Sequence, residues 1–412
     1  MQGERDILRI EEKWTTKAAA RISKMKKKKI LLVTTVANTL GGFLLPFAEA
    51  LKREGWVVDA MASEFSSNAD VADEFDRVWD VPFSRQMSRV AIGFIPSIQR
   101  IRRILKREGY TLIHTHTPFA SFIVRLSAAT ISRTTRPKII YTAHGFHFHP
   151  LGGRVTNSLF FGAEKLAARW TDVLVVINRE DYESAVRKHL IDPAKIRRLP
   201  GIGVDSVRFD PGRYGPEGLA AKRHELGIAD GDAIFVMLAE FAPGKRHIDT
   251  VRAMETLAGK NVHLLFAGGG RLKDSIQREV ALRGLEDQIW FLGVRRDVPE
   301  LMLISNAVIL PSLREGLPRV LLEALSMNVP IIATDIRGTR ELLGESRGIL
   351  VPVKDPERLA QAMAWIIDHE DEAREMGARG RTAVLANYDD GIVLARQMEI
   401  IEEALGNPCG EH

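Results

Sequence analysis

The alternation of short apolar runs with helix-length amphipathic stretches narrows the fold of this chain more than any other feature. Residues 30–36 (ILLVTTV), 57–62 (VVDAMA), 111–118 (TLIHTHTP), 138–150 (KIIYTAHGFHFHP) and 173–178 (VLVVIN) each read as a strand. They are too continuously apolar for a half-exposed strand and suit a parallel sheet covered on both faces. A second series follows at 233–241 (AIFVMLAEF), 262–270 (VHLLFAGGG), 289–293, 307–312, 330–343 and 348–353. Between the two series, residues 199–218 are dense in Gly and Pro, as a linker is. Repeated β-α-β units give parallel sheets whose ligands sit outside the carboxyl ends of the strands. The expectation is therefore an α/β protein of two Rossmann-like domains, residues 29–205 and 206–386, facing each other across a cleft. A charged extension, 1–28, precedes them and a helical segment, 387–412, follows.

With 412 residues and 45% hydrophobic content, the chain can bury two cores. A single cysteine, Cys409, rules out an internal disulfide framework and fits a reducing cytoplasm. No run approaches twenty apolar residues, so no membrane-spanning helix is expected. Residues 1–28 mix acids and bases without the apolar centre of a signal peptide, and Met25 is an alternative start. The net charge of +5 divides unevenly, +12 up to Asp205 and −7 beyond it. A basic first half suits anionic lipid or a diphosphate; without a nucleic-acid motif or interleaved aromatics, no nucleic-acid partner is expected. In 84–107, Ile98, Ile101, Ile104 and Leu105 share a helical face beside Arg100, Arg102, Arg103, Lys106 and Arg107. Either this helix packs on the sheet with a solvated basic side, or it lies on a membrane.

Residues 311–324, PSLREGLPRVLLEA, place Glu315 and Glu323 with seven residues between them. Pro318 suits the first helical position, so Glu315 and Gly316 fall in the preceding loop and Glu323 on the helix. The helix N-terminus would then offer unpaired N–H groups to a phosphate beside Glu315, while carboxylates accept hydrogen bonds from hydroxyls. A surface helix with two solvated glutamates has the same spacing. Gly41-Gly42, read as a turn between strand and helix, would let a backbone approach a phosphate, or simply make a tight turn. Lys245, after a strand, is either a phosphate ligand or a solvated loop lysine. His114, His116, His144 and His147 lie in separate units without a carboxylate or Cys partner, so no metal is expected. Asp230 and Asp232 are expected to make the turn before residue 233.

The 311–324 segment resembles the E-x7-E motif of glycosyltransferase family 4, retaining enzymes of the GT-B fold, in the form found in capsular and exopolysaccharide biosynthesis. Residues 141–148 (YTAHGFHF), 164–181, 199–211 and 291–302 resemble the same branch in the same order, over roughly residues 29–386. The resemblance implies transfer of a hexose or N-acetylhexosamine from a UDP-sugar to a polyprenyl-diphosphate-linked sugar. No metal or other cofactor is implied. It assigns His144, Glu315 and Lys245 to the reacting centre, and Gly41, Gly42, Arg246, Gly316, Leu317 and Glu323 to the donor. His116, Phe146 and His147 go to the acceptor side of the cleft, and the last helix crosses back to the first domain. Glu240 stands where the family carries a diphosphate-binding arginine, which leaves Arg246 or another cation to compensate. The implied setting is cytoplasmic, with peripheral contact to the inner face of the cell membrane. A UDP-sugar epimerase of the same architecture and an inactive nucleotide-sugar-binding scaffold are the alternatives.

Overall fold

The computed structural model describes residues 28–83, 87–148, 152–259 and 261–406, with 87–94 described by backbone alone. The extension before Lys28, with Met25, and Cys409 lie outside the described residues. The chain runs β1 (Lys29–Val36), α1 (Ala37–Phe43), α2 (Leu45–Arg53), β2 (Val57–Ser63), α3 (Ala69–Asp73), β3 (Arg77–Asp80), α4 (Met87–Glu108), β4 (Leu112–Thr115), α5 (Pro118–Ala129), β5 (Lys138–Ala143), α6 (Arg154–Ala167), β6 (Val173–Val176), α7 (Arg179–Arg187) and β7 (Ile196–Arg198). It continues through α8 (Pro216–Glu225), β8 (Ala233–Leu238), α9 (His247–Thr256), β9 (Val262–Ala267), α10 (Lys273–Leu282), β10 (Ile289–Gly293), α11 (Val298–Leu303), β11 (Ala307–Leu310), α12 (Arg319–Ser326), β12 (Ile331–Thr334), α13 (Arg337–Leu343), β13 (Ile349–Val351), α14 (Pro356–Asp368), α15 (Glu370–Asn387) and α16 (Asp390–Leu405). Every apolar run read from the sequence contains a strand.

The strands form two parallel sheets, in the orders β3-β2-β1-β4-β5-β6-β7 and β10-β9-β8-β11-β12-β13. Both are the Rossmann order, the first with one strand added. In each sheet the direction of winding reverses once, between β1 and β4 and between β8 and β11. The expected division at 205 falls in the Gly- and Pro-rich stretch between β7 and β8. The chain forms two compact units, residues 1–141 and 142–412.

In the first unit, Leu31, Val33, Met61, Ile113 and Ile139 meet Ile101, Ile104 and Leu105 of α4 in one core. Ile101, Ile104 and Leu105 of α4 are thus buried, and Arg100, Arg102, Arg103, Lys106 and Arg107 are exposed. This is the sheet-packed alternative. At the start of β1, Lys29 Nζ lies 3.0 Å from Asp59 Oδ2 and 2.9 Å from Glu108 Oε2, fastening the end of α4 to the sheet. One expectation is corrected here. Gly41 and Gly42 do not form a strand-to-helix turn, because α1 begins directly after β1 and both glycines are helical. Their N–H groups are engaged by the helix ladder. A Cβ on Gly41 would come within 2.7 Å of Val71 Cγ2, so this glycine lets α3 approach α1.

In the second unit the strands alternate between two covered faces. Along β8, Ile234 and Val236 join Leu265, Val308 and Leu321 in one core, while Phe235 and Met237 join Phe266, Ile309 and Met363 in the other. The turn before β8 contains Gly231 with φ 89° and Asp232, whose Oδ2 lies 2.9 Å from His263 Nε2. That is the turn expected of Asp230 and Asp232. Helix α16 meets β7 through Arg197 Nε and Glu403 Oε2, 2.5 Å apart.

Candidate active site

Lys245 follows β8 and Glu315 follows β11, the two strands on either side of the reversal in the second sheet. Adjacent loops that leave such strands in opposite directions open a crevice between them. Here the loops are joined by a Leu313 N–H to Gly244 carbonyl hydrogen bond of 2.8 Å. Lys245 Nζ sits 2.6 Å from Glu315 Oε1, with side chains 30% and 12% exposed. Around the pair is a cavity of about 570 Å³ lined also by Ala242, Gly244, Leu313, Arg314, Val353 and Lys354. The site therefore offers one carboxylate and three cations within a pocket of small-molecule dimensions.

The cations differ in what they are free to do. Arg246 closes its guanidinium on buried Asp249, with contacts of 2.5 and 2.8 Å, so its charge is already matched. Arg314 and Lys354 are exposed and form no ion pair among the described residues. Desolvation, with Arg337 close by, holds the Arg314 pKa below the ordinary guanidinium value. It remains a cation at neutral pH. Glu240 is exposed, on a loop that packs against the glycine turn at 268–270. There Gly270, at φ 136°, would bring a Cβ within 2.6 Å of the Phe241 nitrogen.

Three backbone segments stack beside Glu315. A Cβ on Gly316 would overlap the His144 carbonyl, and one on Gly338 would overlap the Gly316 carbonyl. Gly145 has φ 121°, a conformation that side chains rarely adopt. Arg337, at the start of α13, ties the stack together. Its Nη1 lies 2.7 Å from Asp181 Oδ1, its Nη2 donates to the Phe146 carbonyl at 3.0 Å, and its Nε donates to the Glu315 carbonyl at 3.1 Å. Asn178, the N-cap of α7, donates from Nδ2 to Asp181 Oδ2 at 2.8 Å and to the Gly316 carbonyl at 3.2 Å. Burial raises the Asp181 pKa, with Arg337 working against it. The pair is almost fully enclosed, so either partner alone would be an uncompensated buried charge.

His144 follows β5, and burial pulls its imidazole pKa down to about 4. At neutral pH it is an uncharged hydrogen-bonding group. Glu323 lies on α12 with Oε1 3.1 Å from Arg319 Nε, and burial raises its pKa despite that partner. Pro318 is the N-cap of α12, with φ −73° and ψ 117°, one residue outside the expected first position. Leu317 packs its side chain on Gly201 and the core, leaving only its backbone to a ligand. Phe146 is 1% exposed and stacks on Phe148 at 4.6 Å, and His116 is 1% exposed with its ring 4.0 Å from that of His114. Both side chains are enclosed. His147 is half-buried against Phe160 at 5.0 Å.

Sequence reasoning missed Arg314, Asn178, Asp181, Arg337 and Lys354. The spacing of Asn178 and Asp181 is that of an N-cap and its third helical residue, a readable signal. The partnership of Asp181 with Arg337 across 156 residues left none.

Two family models match the chain, Glycosyltransferase Family 4 over residues 43–206 and Glycosyl transferases group 1 over residues 220–383. EpsD of Bacillus subtilis, named provisionally as a glycosyltransferase, is 30% identical over 363 residues, covering 87% of this chain and 92% of that protein. A UDP-Gal:alpha-D-GlcNAc-diphosphoundecaprenol alpha-1,3-galactosyltransferase of Escherichia coli is 26% identical over 353 residues, 84% of this chain and 89% of that one. Among solved structures, a glycosyltransferase of Rickettsia africae superposes with a TM-score of 0.75 at 21% identity, over 93% of this chain and 100% of that one. HepE of Anabaena in complex with UDP superposes with a TM-score of 0.74 at 18% identity, over 91% and 100%.

Proposed function

Because the chain belongs to glycosyltransferase family 4, we propose that it moves a hexose or N-acetylhexosamine from a UDP-sugar to a lipid-diphosphate-linked saccharide during assembly of a cell-surface polysaccharide. The observation that carries this reading is the Lys245–Glu315 pair on the two loops that flank the reversal of the second sheet. The UDP named in the complex with HepE and the diphosphoundecaprenol named for the Escherichia coli relative support the two substrates.

In the proposed reaction, negative charge develops on the leaving diphosphate and positive charge on the sugar ring. Lys245 and Arg314, with the N-terminus of α12, meet the former without a metal ion. Glu315 accepts from donor hydroxyls, and uncharged His144 hydrogen-bonds near the anomeric carbon. Glu323 accepts from the ribose once Arg319 shares it. The acceptor hydroxyl attacks the face that the diphosphate leaves, and the departing phosphate takes its proton, so the α configuration is kept. The bond from anomeric carbon to phosphate oxygen breaks as the glycosidic bond forms. Residues 206–386 form the donor half in this scheme, and 29–205 the acceptor half. The reaction is placed on the cytoplasmic side of the membrane.

The test is UDP release from a panel of UDP-sugars, metal-free, with and without a polyprenyl-diphosphate-linked sugar. Release from one donor that depends on the acceptor is the expected result. UDP binding without release from any donor would overturn it and leave a binding scaffold, for which exposed Glu240 is the relevant feature. Conversion of a UDP-sugar to its epimer without acceptor would identify an epimerase instead.

A further inference from the structure

Among the described residues no helix is long and apolar enough to cross a membrane. A chain that works on a lipid-linked sugar, as proposed above, gains from a surface that seats it on the bilayer. On α4, Ile101, Ile104 and Leu105 face the core, and among its described side chains Ile95 is the one exposed large aliphatic, so that basic helix offers no line of apolar side chains there.

Helix α6 differs. Val155 is 84% exposed, Leu159 59% and Leu166 40%, and Gly162 between them is exposed too. At about 100° per residue, positions 155, 159, 162 and 166 fall within roughly 60° of one another. The helix buries Glu164 and Ala167 on its other side, so the stripe is its outermost line. Along one flank of the stripe stand Arg154 and Lys165, followed by Arg169 just past the helix end, all exposed. Lys188, which lies 5.7 Å from the Phe161 ring, adds a fourth exposed cation. The helix exposes no acidic residue. Val207, Leu282 and Val294 are equally exposed, but they lie far apart in sequence on other elements, and isolated apolar residues are ordinary on a surface.

We propose that α6 is the element by which this protein lies on an anionic membrane surface. A line of aliphatic side chains opposite the buried face, with cations on its flank, is the pattern of a helix lying in the interface plane. The aliphatic line enters the headgroup boundary while Arg154, Lys165, Arg169 and Lys188 meet lipid phosphates. Only the purpose of this contact, access to a lipid-linked acceptor, rests on the function proposed above.

Flotation with phosphatidylglycerol–phosphatidylcholine vesicles and with phosphatidylcholine alone tests the proposal. The wild type should float with the anionic vesicles and much less with neutral ones. V155S/L159S and, separately, R154Q/R169Q should each lower the bound fraction about tenfold, while R102Q/R103Q on α4 lowers it much less. L159W should show blue-shifted emission on anionic vesicles. All the substituted side chains are exposed, and unchanged melting temperatures will show that the variants fold. Unaltered binding by the α6 variants overturns the proposal. So does a change in oligomeric state on V155S/L159S, which would make the stripe a contact between copies. UDP titration of the same samples keeps the two readings apart: vesicle binding without UDP binding leaves the membrane seat standing and removes the sugar-nucleotide function.

Discussion

A single side chain decides little unless its neighbours have left it something to do. Glu315 is held by Lys245 yet faces the cavity, so Glu315→Gln should keep the fold and lower turnover at least tenfold, about 1.4 kcal/mol of transition-state stabilisation. Wild-type turnover in that variant would remove Glu315 from the site. Arg314 and Arg246 make a sharper comparison. By calorimetry, Arg314→Gln should weaken UDP binding about tenfold, the worth of one charge-assisted contact. Arg246→Gln should lower thermal stability, because it strands buried Asp249, and change UDP affinity by less than about twofold. Equal affinity losses would show that Arg246 also reaches the diphosphate. The difference was half legible in the sequence. Arg246 and Asp249 are three residues apart across the start of a helix, a spacing that announces an ion pair.

At the scale of elements, the site depends on segments that touch no substrate in the proposed scheme. The Arg337–Asp181 pair joins the first turn of α13 to that of α7, and through backbone carbonyls it fixes the loops carrying His144 and Glu315. Removing one partner should cost on the order of 3–5 kcal/mol. Arg337→Gln is thus expected to melt at clearly lower temperature, and at a temperature where it stays folded its turnover should fall more than its UDP affinity. A loss confined to melting temperature would make the pair a fold element only. The strands and most helices were legible because their apolar periodicity is written locally. Gly41 and Gly42 were misread for the same reason: a Gly pair between strand and helix patterns looks like a turn, whereas both are helical and Gly41 admits α3. His116 and Phe146 follow β4 and β5, and only tertiary packing shows that both are enclosed.

Across the molecule, the junction of the linker with α16 carries the clearest acid-base signature. Burial pushes the Asp390 carboxyl up to about 6, with Asp205 and Asp389 adding to the shift and Arg319 opposing it. A folded-state pKa above the unfolded value favours the protonated form. Its stabilising contribution is therefore complete below about pH 4 and is lost as pH rises towards 6. Asp390→Asn should raise stability at pH 7 by on the order of 1 kcal/mol after discounting for partial exposure, and should do little at pH 3.5. Melting curves at the two pH values check it, and an equal shift at both would show that the charge is not the cause.

Lys245 and Glu315 stand 70 residues apart, and the loops that carry them converge only when β8 and β11 are neighbours. Between those strands in sequence come β9 and β10, which pair on the far side of β8. A nascent chain can complete that hairpin-free outer half of the sheet and still own no pocket, since the strand that brings Glu315 has yet to emerge. The lining is complete only when Val353 and Lys354 follow, so the pocket is acquired late in synthesis, after the last strand of the second sheet has emerged.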